Sequence, residues 1–355
     1  MTLFPLQVSA GGKRYPVIIK RGVLSTVGER LAEDAPGARV FIVTDETVWA
    51  IYGKPIAAAL EAQKISFHVE AVPPGEQTKS IESLTRLYAA MAAQNYSRSD
   101  WVLTVGGGVV GDLGGMAAAT FLRGMSYAQV PTTLLAQVDS SVGGKVAVDI
   151  PAGKNLVGAF HQPRFVLIDP DVLDTLPDSQ FASGMAEVIK HAAISDEGLF
   201  KKLEKYSGRQ GLNKHLPEVI RQNIVIKRAA VQNDERDNGN RMTLNFGHTI
   251  GHGLEQQAGF TGITHGEAVS KGMCHITRVS EALGLTQPGT ADRLAALCRA
   301  YGLPVELPDA SRESLLEVIL RDKKVRGETI TLSLISQIGK CFLHTIRTEE
   351  MGRFL

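Results

Sequence analysis

The chain predicts an α/β first half built on a parallel sheet and an all-α second half, and three observations carry that expectation. Short apolar, β-branched runs alternate with helical stretches as far as Asp169-Pro170; a glycine run directly follows one of the strand candidates; and from Asp174 onward long amphipathic segments take over. Taken in order, residues 40–44 read as a strand, 48–62 as a helix, 65–72 as a strand, 81–94 as a helix and 101–105 as a strand, with further strands expected at 127–130 and 165–169. Such alternation lays strands side by side in parallel and covers the sheet with helices. The second half is expected to hold helices at 179–193, 216–233, 244–257 and 268–283, with a turn at 237–240. A boundary near residue 173 gives two domains, 1–173 and 174–355, which suits a chain of 355 residues.

Composition excludes several classes of partner. The net charge is +1, with acids and bases interspersed, whereas a nucleic-acid or anionic-membrane surface needs a concentrated basic face. No apolar stretch approaches the ~20 residues of a membrane span, and residues 1–21 alternate polar and apolar without the apolar core of a signal peptide. A soluble, cytoplasmic protein is expected. Cys274, Cys298 and Cys341 are odd in number and widely separated, so buried free thiols are expected rather than a disulfide frame or a thiolate zinc site.

The most informative run is Gly106-Gly107-Gly108-Val109-Val110-Gly111-Asp112-Leu113-Gly114-Gly115, directly after the strand candidate at 101–105. A strand ending in glycines lets backbone approach a phosphate closely, and the N–H groups opening the next helix point at the anion while the helix dipole favours its charge. The spacing departs from Gly-x-Gly-x-x-Gly, so an ordinary turn is the alternative. Asp45 and Glu46 follow the first of these strands, where an acid can accept hydrogen bonds from ribose hydroxyls or simply cap the next helix. Glu76 and Lys79, in a turn leading to a helix, suit contact with a ligand, and capping of that helix explains them as well.

A second polar stretch runs from Pro131 through Thr132, Thr133 and Asp139 to Gly143-Gly144-Lys145, and Lys154-Asn155 follow shortly after. Hydroxyls, a glycine pair and lysines at this density suit the binding of oxyanions. In the second half, Leu244-Asn245-Phe246-Gly247-His248-Thr249-Ile250-Gly251-His252 places two imidazoles on one helix face, and a third lies at His265 in Thr264-His265-Gly266-Glu267. Neutral imidazoles plus one carboxylate bind zinc with an open position, and Glu187, flanked by apolar residues on a helix, is the acid candidate. Spacing leaves open whether His248 and His252 both ligate or one of them moves protons. Arg123, Lys145, Lys154, Lys190, Lys227, Arg241, Lys323 and Lys324 stand in largely apolar or glycine-rich surroundings and suit a small substrate carrying phosphate and carboxylate, if the two halves meet across a cleft. A solvated basic turn accounts equally well for Lys323-Lys324-Val325-Arg326.

These motifs, with Lys154 to Gln162 as KNLVGAFHQ, Glu187 to His191, LNFGHTIGH at 244–252 and His265-Gly266-Glu267-Ala268-Val269, resemble the 3-dehydroquinate synthase family of sugar phosphate cyclases along nearly the whole chain. Residues at Pro74 and Thr78 and the tail from Cys341 depart from the family pattern. The resemblance implies a Rossmann-like α/β N-terminal domain binding NAD, a helical C-terminal domain, one divalent metal (zinc or cobalt), a homodimer and a sugar acid phosphate substrate, 3-deoxy-D-arabino-heptulosonate 7-phosphate. It implies Glu187, His248 and His265 as metal ligands and His252 as the group that transfers protons. NAD contacts are implied for Asp45, Glu76, Lys79, Gly108, Val109, Val110, Gly111, Asp112, Thr132, Thr133 and Thr175, and beside them for Asp139, Lys145 and Lys154. Substrate and catalytic roles fall to Arg123, Asp139, Lys145, Lys154, Asn155, Lys190, Lys227, Arg241 and Asn245, with Lys323 or Lys324 reaching phosphate. The implied reaction oxidises a ring hydroxyl transiently, eliminates phosphate, returns the hydride, opens the ring and closes a carbocycle by aldol addition. A polyol dehydrogenase of the glycerol dehydrogenase type or a sister cyclase is the alternative; Lys227, Arg241 and Asn245 keep the dehydroquinate pattern.

Overall fold

The computed structural model describes residues 5–234, 239–259, 262–308, 312–320, 325–326 and 328–355, and its contacts divide the chain into two units, Met1–Leu176 and Pro177–Leu355. The first unit contains, in chain order, β1 (Leu6–Ala10), β2 (Lys13–Ile19), α1 (Val27–Asp34), β3 (Val40–Asp45), α2 (Glu46–Ala62), β4 (Phe67–Val72), α3 (Ile81–Ala93), β5 (Trp101–Gly106), α4 (Gly108–Thr120), β6 (Ser126–Pro131), β7 (Lys145–Ile150), β8 (Gly153–Phe160) and β9 (Val166–Ile168). Seven of these strands form one sheet in the order β1-β2-β9-β6-β5-β3-β4, parallel throughout except for the β1–β2 hairpin.

The period-two geometry of a strand explains why β3 is apolar without interruption. Val40 and Ile42 face a cluster with Val27, Leu31, Ile56 and Leu60 of α1 and α2, while Phe41 and Val43 face Leu84, Leu87, Leu113 and Ala117 of α3 and α4. Both faces of the sheet are therefore covered. Strand order also reverses at β3, which has β4 on one side and β5 on the other. In such sheets ligands bind beyond the carboxyl ends of the strands at the reversal, and Asp45 ends β3 while Gly106 ends β5.

The second unit holds α5 (Asp178–Ser195), α6 (Glu197–Tyr206), α7 (Arg209–Leu212), α8 (Leu216–Asn233), α9 (His248–Gln257), α10 (His265–Ala282), α11 (Thr290–Ala300), α12 (Arg312–Leu320), β10 (Val325–Arg326), β11 (Thr329–Gln337) and β12 (Lys340–Arg347). Helix α5 is its axis, buried from Phe181 to Ile194 and packed against α6, α8 and α10. The expected all-α half needs one correction, because β10, β11 and β12 form an antiparallel sheet. Thr329–Gln337 buries Ile330, Leu332, Leu334 and Ile335, and the Gly339 turn (φ 84°) lets the chain double back. Residues 237 and 238 of the expected turn, and Lys323 and Lys324, lie outside the described residues. No helix among the described residues is long and apolar enough to cross a membrane.

Candidate functional site

Two constellations emerge, one in each unit. In the second unit, α5, α9 and α10 bring Glu187, His248 and His265 together. Small residues make the approach possible. The Gly266 N–H donates to Ser183 Oγ at 3.0 Å, and a Cβ on Gly266 would lie 2.6 Å from the Ser183 carbonyl carbon, so the start of α10 sits directly on the backbone of α5. The same start is held by a capping box in which Thr264 Oγ1 accepts from Glu267 N and Glu267 Oε2 accepts from Thr264 N.

His248 Nε2 and His265 Nε2 lie 3.5 and 3.6 Å from Glu187 Oε1, an oxygen that is buried and has no hydrogen-bond partner among the described residues. Two ligands each ~2.0–2.1 Å from a tetrahedral zinc are roughly 3.4 Å apart. The spacing is too long for good hydrogen bonds and right for three atoms sharing an ion, so these residues fit a metal. His248 Nδ1 approaches Phe246 O at 3.1 Å, which makes it the protonated nitrogen and leaves Nε2 as donor to an ion. The other Glu187 oxygen accepts from Lys190 one turn along α5. Burial alone would push the Glu187 carboxyl up, but Lys190, His265 and His248 overrule it and hold it well below the usual carboxylate range. Burial would likewise lower His265, yet Glu187 and Glu255 raise it to about 10, so an ion entering here displaces a proton.

His252, one turn after His248 on α9, has its ring 5.3 Å from that of His248 and belongs to an overlapping group with Glu255 and His265. Lys227 and Arg241 are buried, and Asp234 Oδ2 accepts from the backbone N–H groups of Gly239 and Arg241. Asn245 lines a small cavity with Gly247, Thr249, Ile250, Ile276, Leu332 and Ser333.

The first unit carries the glycine run. Gly107 caps α4 with no side-chain hydrogen bond and no acid in the first turn, so the N–H groups around Gly108, Val109 and Val110 open toward the end of β5. A Cβ on Gly107 would lie 2.9 Å from Thr133 Cγ2, which fixes how closely the β6 loop follows. Thr132 donates its N–H to Gly106 O at 2.9 Å, while its Oγ1 is buried with no hydrogen-bond partner among the described residues. A glycine-capped helix start beside an orphaned hydroxyl fits a bound phosphate. Thr133 Oγ1 accepts from Ala136 N, Asp139 lies on the turn that follows, and Lys145 opens β7. Asp45 takes up its capping role, Oδ1 accepting from Val48 N at 2.9 Å. Thr175 Oγ1 lies 2.6 Å from Tyr52 Oη.

Lys79 is the hub beside that loop. Its buried ammonium lies 2.8 Å from Asn155 Oδ1, 3.2 Å from both Asp112 Oδ2 and Glu76 Oε1, and 3.8 Å from Asp149 Oδ1, with Lys154 Nζ 3.6 Å from Glu76. Desolvation alone would lower the Lys79 pKa; Asp112, Glu76 and Asp149 raise it instead. Asn155 adopts φ 56° and donates its N–H to Asp149 Oδ1. The structure thus gathers Glu76, Lys79, Asp112, Lys154 and Asn155, which sequence reading could only name separately. Arg123 is not among them; it occupies an exposed turn at φ 65° after Leu122 at φ 51°. Asp149 and Glu255 escaped sequence reading, although Glu255 continues the His248, His252 stripe at helical spacing.

Residues 69–183 match the family profile described as 3-dehydroquinate synthase N-terminal, and residues 184–325 the one described as 3-dehydroquinate synthase C-terminal. The chain belongs to the 3-dehydroquinate synthase family. It is 43% identical to the 3-dehydroquinate synthase of Clostridium acetobutylicum and 44% identical to that of Enterococcus faecalis, each over 99% of this chain and 98% of the relative. Among solved structures, it resembles a 2-deoxy-scyllo-inosose synthase complexed with carbaglucose-6-phosphate, NAD+ and Co2+ (TM-score 0.88, 26% identity, 99% and 98% of the chains covered). It equally resembles the 2-epi-5-epi-valiolone synthase of Streptomyces hygroscopicus with NAD+ and Zn2+ bound (TM-score 0.88, 27% identity, 98% of each chain). A probable glycerol dehydrogenase from Sinorhizobium meliloti shares the fold (TM-score 0.65, 15% identity, 86% and 89% of the chains covered).

Proposed function

We propose that this chain is a 3-dehydroquinate synthase, a carbon–oxygen lyase that converts 3-deoxy-D-arabino-heptulosonate 7-phosphate to 3-dehydroquinate and inorganic phosphate with NAD and one divalent ion, zinc or cobalt. The observation that carries the reading is the Glu187, His248 and His265 cluster, whose spacing suits a three-ligand site with a position left open for substrate oxygen. When bound, the ion supplies a Lewis acid and NAD a hydride acceptor that is restored by the end of the cycle.

The chain's own residues do the remaining work. Lys190 holds one oxygen of Glu187, leaves the other for the ion, and orients substrate together with Asn245 and Arg241. His252, on the α9 face next to His248, moves protons to and from ring oxygens. Lys145, Lys154, Arg123 and whichever of Lys323 and Lys324 reaches the phosphate neutralise charge as it leaves, while Asp139, Asn155 and Lys227 position the ring. The open N–H groups at Gly108, Val109 and Val110 receive the NAD pyrophosphate, with Gly111, Thr132, Thr133 and Thr175 alongside. Asp45 through its second oxygen, Glu76, Lys79 and Asp112 serve its ribose hydroxyls. We take the protein to be a cytoplasmic homodimer acting on a small molecule alone. The test offers the heptulosonate phosphate with NAD and zinc and follows inorganic phosphate alongside NADH absorbance. Phosphate without net NADH supports the reading, whereas net NADH from a polyol favours a dehydrogenase.

A further inference from the structure

The imidazole of His265 lies between two carboxylates. Nε2 faces Glu187 Oε1 at 3.6 Å, and Nδ1 faces Glu255 Oε2 at 3.4 Å; Glu255 is only 6% exposed. His265 is therefore shared by two groups of possible ligands, Glu187 with His248 and Glu255 with His252, each with its ligand atoms within 4.8 Å of one another. A neutral imidazole has one lone pair and one N–H in the ring plane, so it serves one side as ligand and the other as donor. The two carboxylates behave differently. Glu255 Oε2 makes a hydrogen bond with Nδ1, whereas Glu187 Oε1 is buried with two imidazole nitrogens near it and no hydrogen bond.

We propose that Glu255 is a positioning residue: it accepts the Nδ1–H of His265, fixes that tautomer and ring angle, and turns the Nε2 lone pair toward the centre formed by Glu187 and His248. The His252, Glu255 and His265 group is then the support of the metal site rather than a second one. Backbone contacts fix where His265 starts α10, through the capping box and the Gly266 to Ser183 bond, but the ring can still turn about its side-chain torsions. Glu255 supplies the missing restraint from the facing helix α9. A carboxylate behind a ligating imidazole also raises its basicity, and loss of such a partner typically costs ~10–100-fold in metal affinity.

The inference rests on the metal reading above, and the experiment separates the two. Full-length protein is stripped with chelator, and zinc and cobalt binding are measured by equilibrium dialysis for wild type, E255Q, E255M and H248A, with far-UV circular dichroism to compare folding. Met approximates the shape of Glu but accepts hydrogen bonds only weakly, whereas the Gln amide oxygen still accepts from Nδ1–H. We expect one ion per wild-type chain, affinity lowered ~10–100-fold in E255M and mostly recovered in E255Q, and an unchanged cobalt absorption band in all that bind. E255M binding as tightly as wild type would overturn the proposal, as would two ions per wild-type chain with one lost in E255M. A wild type that binds no ion, or an H248A variant that binds like wild type, would instead sink the metal reading itself.

Discussion

Gly266→Ala is the most informative single substitution, because one methyl group tests the link between helix packing and the proposed metal centre. A Cβ at 266 would clash with the Cα and carbonyl oxygen of Ser183 and lie 2.6 Å from its carbonyl carbon, so the overlap exceeds the ~0.8 Å by which that last contact falls inside the 3.4 Å at which ordinary contact begins. The obstacle is α5 backbone, which cannot rotate aside as a side-chain tip could. Relief requires α10 to retreat from α5 by a comparable distance, and that also stretches the Gly266 N to Ser183 Oγ bond. His265 moves with the helix, so its Nε2 goes from 3.6 Å to at least ~4.4 Å from Glu187 Oε1, beyond the roughly 3.4 Å that ligands of one tetrahedral ion span. Overpacking of this kind costs ~1–3 kcal/mol of stability. The expected outcome is a folded protein with a lower urea midpoint and zinc affinity reduced at least ~10-fold, since ligand distances must hold within about 0.2 Å. Equilibrium dialysis and urea denaturation read both. An alanine variant that keeps wild-type zinc affinity would refute the argument that this glycine sets the ligand spacing.

Other substitutions test separate parts of the account. Glu187→Gln removes the charge that His248 and His265 share and leaves Lys190 buried without its acid; zinc binding is expected to disappear, which metal analysis after gel filtration checks. Lys79→Met leaves Asp112, Glu76 and Asp149 around an uncharged side chain, so it should destabilise at neutral pH by ~1–3 kcal/mol, less than the ~3–5 kcal/mol of a fully buried pair because the three carboxylates keep partial access to water. The loss should shrink in acid, as pH falls through the depressed folded value of Glu76, as urea midpoints at neutral and acid pH will show. Asp100 accepts from the backbone N–H groups of Arg39 and Ser97 and from the Arg39 guanidinium. Burial alone would raise its pKa, but these bonds depress it. A depressed carboxylate contributes stability above its unfolded pKa of ~3.9, and that contribution is lost as pH falls through the folded value. Asp100→Asn should therefore cost ~1–3 kcal/mol at pH 7, with the gap to wild type closing in acid; a gap that stays constant to pH 2 would contradict the assignment.

How much was legible in the sequence follows from the physics of each element. Strands β3 and β5 announce themselves because a sheet covered on both faces needs continuous apolar runs, and helices α2, α3 and α8 because one-sided burial imposes their periodicity, whereas α5, buried from Phe181 to Ile194, shows as a run of apolar and small residues. The β7–β8 hairpin and the sheet of β10, β11 and β12 were not seen. Lys145 and Lys154-Asn155 drew attention as polar groups and masked the strands that carry them, and 329–337 alternates too imperfectly to stand out beside long helices. At the proposed metal site, spacing narrowed the choice to His248, His252 and His265, but only the fold shows that His248 Nε2 faces Glu187 while His252 falls in the group with Glu255. Glu255, next to Gln256 and Gln257 at a helix end, looks like a solvated acid until the facing helix covers it. Asp149 meets Lys79 only because β7 runs beside residue 80, a long-range bridge no local pattern encodes.

The central claim is that a hydride is taken and returned, so that phosphate departs with no net redox change. The direct measurement supplies protein loaded with zinc, the heptulosonate phosphate and NAD far below substrate, and counts phosphate released per NAD while recording NADH absorbance. The account predicts many phosphates per NAD, no accumulation of NADH, and loss of turnover when either NAD or the metal is withdrawn. Phosphate release that stops at one per NAD, or that continues undiminished without NAD and metal, would contradict it.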